Sequence, residues 1–87
     1  MICEVVTRND IRSIKAGQVG IFTLPNQGAK EAARVQFSTV KRLSEGKYDY
    51  ERVDEDELRN MLGKDFETII PDWSRTIAYR CTKNELS

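Results

Sequence analysis

No histidine occurs anywhere in the 87 residues. That removes Ser-His-Asp and Cys-His catalysis and the commonest metal ligand. Cysteine is limited to Cys3 and Cys81, one near each end and in no CxxC spacing. Two isolated thiols cannot make a four-ligand zinc site without carboxylates. No apolar run approaches the ~20 residues that span a bilayer. Charge of one sign is also lacking. Fourteen Lys and Arg balance fourteen Asp and Glu, so there is no overall basic footprint of the kind that marks many nucleic-acid binders.

What is present suits one small globular domain. The composition is 39% hydrophobic and 32% charged. A chain of this size buries roughly 60–65% of its unfolded surface, enough for a core without staples. The opening "MICEVVTRND" has no basic segment ahead of an apolar one and does not read as a signal peptide. We therefore expect a soluble, cytoplasmic protein with no membrane contact. There both thiols should be reduced, as small buried hydrophobes on strands. A disulfide between paired terminal strands is the alternative in an oxidising compartment.

The charge is unevenly spread. The balance is +4 over residues 1–48, −5 over 49–67 and +1 over 68–87. A neutral average can therefore hide a basic face and an acidic one.

The clearest element is "NQGAKEAARVQFSTVKRL", residues 26–43. At ~100° per residue, Ala29, Ala32, Ala33, Phe37, Val40 and Leu43 gather on one side. Lys30, Glu31, Arg34, Ser38, Lys41, Arg42 and Glu45 gather on the other. Asn26 is a good N-cap and Gly46 a good C′ residue. The pattern predicts a helix over about 27–44 that buries Ala29, Ala33, Phe37, Val40 and Leu43.

Around it, "ICEVVT" (2–7) and "VGIFTLP" (19–25) read as strands, with Gly20 marking a bulge or a close neighbour. "DIRSI" between them is too short for more than one helical turn. "KYDYERV" (47–53) alternates as a strand. "DEDELRNMLGK" (54–64) reads as a shorter helix, with Asp54 and Glu57 in capping-box spacing. "FETII" (66–70) reads as a strand, "PDWS" (71–74) as a turn and "RTIAYRCT" (75–82) as the last strand. Residues 83–87 should form a loose tail beyond a single domain at 1–82. The expected class is α+β: a mainly antiparallel sheet of about four strands, the long helix across one face, and a second short helix.

The acidic run 54–57 fails as an EF-hand, because the position that needs Gly is Arg59. Helix capping accounts for it. "PNQGAK" places a Gly and a Lys at a helix start, but lacks the G-x-x-x-x-G-K-S/T pattern of a P-loop. We expect no metal, no cofactor, no small-molecule substrate and no enzyme.

The best functional candidate is the basic row Lys30, Arg34 and Lys41, with Arg42 at its edge. Arg8, Arg12 and Lys15 could extend it over a few phosphates. Against this, Glu31 and Glu45 lie on the same face and could pair with Arg34 and Lys41. Gln36 falls inside the apolar face. It either hydrogen-bonds a backbone or meets a partner. Trp73 either folds over the core or serves an interface.

"DIRSIKAGQVGIFTLPN" followed by "EAARVQFSTVKRL", about residues 10–43, resembles small uncharacterised proteins of phages and mobile elements of Bacteroides-type bacteria. The shared features are "IRSI", a turn glycine, an "F.LP" strand end and an "AAR" helix. The resemblance implies a phage or mobile-element setting, where small proteins often bind nucleic acid or other proteins. It carries no site residues. The leading expectation is a non-enzymatic binding or adaptor protein that touches nucleic acid through the basic helix face. The alternative is a protein–protein module, self-associating or not.

Overall fold

The computed structural model describes residues 4–85; Cys3 and the tail's last two residues lie outside them. The order is β1 (Glu4–Thr7), β2 (Gln18–Thr23), α1 (Gln27–Leu43), β3 (Tyr48–Arg52), α2 (Glu55–Leu62), a one-turn α3 (Phe66–Ile69) and β4 (Thr76–Asn84). Short 3-10 turns occupy Ile11–Ser13, Gly63–Asp65 and Trp73–Arg75. The chain is α+β, as its patterning predicts.

The four strands lie in the order β1-β2-β4-β3. The sheet is mixed, which corrects the expectation of a mainly antiparallel one. β4 pairs antiparallel with β2 and β3, but β1 runs parallel to β2. The physical reason lies in residues 8–17. They form a crossover with buried Ile11 and Ile14, not a hairpin turn, and a crossover returns the chain in the same direction.

Alternation along the strands divides the core in two. Phe22, Ile77, Tyr79, Cys81 and Tyr48 face α1 together with Ile11 and Ile14. Val19, Ile21 and Ala78 face the other way, onto Leu58, Phe66 and Ile70. Helix α1 thus covers one face of the sheet, and α2 with α3 covers the other. Gly20 has a close neighbour: a Cβ there would stand 2.5 Å from Ile14 Cδ1 and 2.7 Å from Cγ1. Cys81 is free and buried.

Two element boundaries differ from expectation. Residues 66–69 are helical, not a strand. Phe66 and Ile70 are four apart, a spacing that puts both on one side in either conformation. β4 runs to Asn84, two residues past its expected end, and Glu85 N–H donates to Lys47 O at 2.7 Å.

Candidate functional site

Asn26 caps α1, its side chain accepting from Ala29 N–H at 2.8 Å. The helix buries a different stripe from the one its apolar residues suggest. Ala33 and Phe37 are buried, with Lys30 and Ser44 beside them. Ala29 and Val40 are half-buried, while Leu43 is 70% exposed. The inner face is therefore rotated away from Leu43 towards Lys30.

Lys30 can sit inside because its methylene stem packs and its head finds an acceptor. Nζ donates to Trp73 O at 3.0 Å and lies 5.1 Å from the Trp73 ring centroid. Desolvation, then the nearby charges of Arg34 and Arg52, lowers its pKa. Ser44 Oγ donates to Lys41 O at 2.7 Å and accepts from Tyr48 N–H at 3.2 Å.

The basic row is not a continuous exposed patch. Lys30 is 7% exposed. Arg34 bridges Glu31 at 3.1 Å, although its Nε is buried with no hydrogen-bond partner. Lys41 bridges Asp49 at 2.9 Å and stands 5.3 Å from the Tyr50 ring centroid. That hydrogen bond raises Lys41 and lowers Asp49. Arg42 is exposed and bridges no described carboxylate. Arg12 and Lys15 are exposed on the crossover, and Arg12 lines a groove with Gln36 and Leu43 of α1. The acidic segment is compensated too. Arg80 pairs with Glu51 and Glu57, and Arg59 with Glu55 and Glu67. Asp54 caps α2 by accepting from Glu57 N–H, but Glu57 turns its carboxylate to Arg80. Only half of the capping box forms.

Trp73 is half-buried and packs beside Phe66, with ring centroids 6.4 Å apart. Gln36 is exposed, and its carboxamide has no hydrogen-bond partner among the described residues.

What α1 does show outward is an arc without charge. At 100° per residue, Gly28, Ala32, Val35, Gln36, Thr39 and Leu43 share about 100° of the helix surface. Among the described residues, Val35 (66%) and Leu43 (70%) are the large hydrophobics that stand exposed. Beside this arc lies a groove of about 540 Å³ between α1 and the crossover, lined by Ile11, Arg12, Gln36, Val40 and Leu43, among others. The sequence signal was present in Gln36 and Leu43. Helical periodicity alone puts both on the apolar side, which is why it does not separate this arc from the core.

Among the described residues, no group of three or more His, Cys, Asp or Glu side chains could hold a metal ion. No helix there is long and apolar enough to cross a membrane. No family model, no curated protein and no solved structure matches the chain.

Proposed function

We propose that this is a small non-enzymatic binding module, cytoplasmic and of phage or mobile-element setting, that engages protein through the outer face of α1. The observation that carries the reading is the charge-free arc. In a chain that is 32% charged, its exposed Val35 and Leu43 fall on one side of one helix. Exposed apolar surface grouped on a single element suits helix-mediated protein contact. Nucleic acid is the weaker reading, because a phosphate-binding row needs exposed, uncompensated cations. Lys30, Arg34 and Lys41 each have an internal partner, which leaves Arg42, Arg12 and Lys15.

Affinity capture with three baits tests this: wild type, Val35→Lys/Leu43→Lys, and Arg12→Glu/Lys15→Glu. The expected result is protein retained by wild type and by Arg12→Glu/Lys15→Glu and lost with the double lysine variant. Nuclease and moderate salt should not change it. Retention that vanishes with nuclease or with Arg12→Glu/Lys15→Glu would transfer the function to nucleic acid.

A further inference from the structure

The proposed protein-binding role says nothing of the partner. Resting on that reading, we propose that the partner is a second copy of this chain, with two α1 helices packed antiparallel across a two-fold axis.

The argument is self-complementarity. An isologous interface must match itself under a two-fold rotation. For antiparallel helices, that rotation puts the same edge of each helix beside the other, with direction reversed. Glu31 and Arg42 lie on the same edge of the charge-free arc, eleven residues and about 16 Å apart. Glu31 bridges Arg34 of its own helix but keeps most of its side chain in water, so it can also meet a second cation, and Arg42 bridges no described carboxylate. A two-fold axis midway between them brings Glu31 of each copy to Arg42 of the other, forming two ion pairs. That single choice of axis fixes everything else. Gln36 falls beside the axis, so the two unpartnered carboxamides meet and can bond each other. Leu43, the most exposed large hydrophobic residue described, comes over Gly28 and Ala32 of the other copy, where the smallest side chains leave room. A net charge of zero opposes no such approach. Four turns of helix cover less than the about 800 Å² per partner of a standard interface, so the dimer should be weak.

Sedimentation equilibrium from about 10 µM to about 1 mM brackets a weak dimer. Wild type should pass from monomer towards dimer. Leu43→Lys should stay monomeric with an unchanged circular dichroism melt. Arg42→Glu alone and Glu31→Arg alone should each associate less than wild type, and their equimolar mixture should recover dimer, because only the mixed pair satisfies both bridges. In a Cys3→Ser background, Gln36→Cys should oxidise to a disulfide-linked dimer. Ala32→Cys, about 13 Å from its equivalent in this register, should not. Cys81 does not compete, being 1% exposed. A monomer at every concentration overturns self-pairing. It leaves the protein-binding reading standing, provided the double lysine bait still loses captured protein. A dimer indifferent to Leu43→Lys, or cross-linked at position 32 as readily as at 36, also overturns it.

Discussion

Phe37 is the residue on which α1 turns. It is fully buried, and its ring meets Phe22 and Tyr50 edge-on at 5.3 Å and lies 3.9 Å from Tyr79, centroid to centroid. Phe37→Ala should cost about 3–5 kcal/mol, a large share of the roughly 4–13 kcal/mol expected for a chain of this size. Leu43→Ala should cost under about 0.5 kcal/mol, because the side chain is already in water. Urea titration of the two variants checks the contrast. Equal losses would mean that Leu43 is core after all. The sequence points to Phe37 correctly and to Leu43 wrongly, for one reason. Apolar counting weights the alanines and Leu43 and discounts Lys30 and Ser44. Both of those found internal hydrogen bonds that let them bury. Gly20 was legible as a close approach. Gly20→Ala should destabilise by roughly 1–3 kcal/mol as overpacking, since the fully buried Ile14 must shift to admit the new methyl.

At the scale of elements, the helix ends were the most readable features. Asn26→Ala should lower stability by about 1 kcal/mol, because it strands the Ala29 amide. The other end is less simple. Gly46 has φ +87°, but Glu45 before it also takes the left-handed region at φ 53°. Gly46→Ala should therefore cost about 1–2 kcal/mol in backbone strain alone, since no atom lies within 4 Å of the added Cβ. A thermal melt unchanged by this substitution would contradict that account. The element the sequence misassigned is α3. Its four residues are too few for periodicity to separate one helical turn from a short strand. The parallel β1 was hidden for a different reason. Direction depends on the path of the crossover, and residues 8–17 carry no hairpin signal and no long helix.

The whole molecule is a neutral chain in which many charges are cancelled in place. Lys41, Arg34, Arg59 and Arg80 each answer a carboxylate, so the basic and acidic segments interleave. Linear sequence shows the segments but not the strand pairing that brings Arg80 beside Glu51. Burial gives the molecule a defined alkaline limit. It holds Tyr48 and Tyr79 above their ordinary 10.0 and Cys81 above 9.0. The unfolded chain releases these protons first, so their contribution is complete below about pH 9 and is lost as pH rises beyond it. Lys30 acts oppositely. Its folded value lies below 10.5, so its share of stability grows as pH rises towards 10.5. Lys41, also raised, joins these three against Lys30 alone, so stability should fall above about pH 9–10. Circular dichroism melts between neutral and alkaline pH follow this. A flat profile to about pH 11 would contradict the burial of the tyrosines.

The claim that most needs testing is that α1 presents its charge-free side to a second copy of this chain. The direct measurement is a dilution series of amide chemical shifts on nitrogen-15-labelled protein, from about 1 mM down to about 10 µM. The account predicts concentration-dependent shifts gathered at Gly28, Ala32, Val35, Gln36, Thr39 and Leu43, with the strands unmoved. Shifts gathered instead along the sheet edges β1 or β3, or none at any concentration, would contradict it.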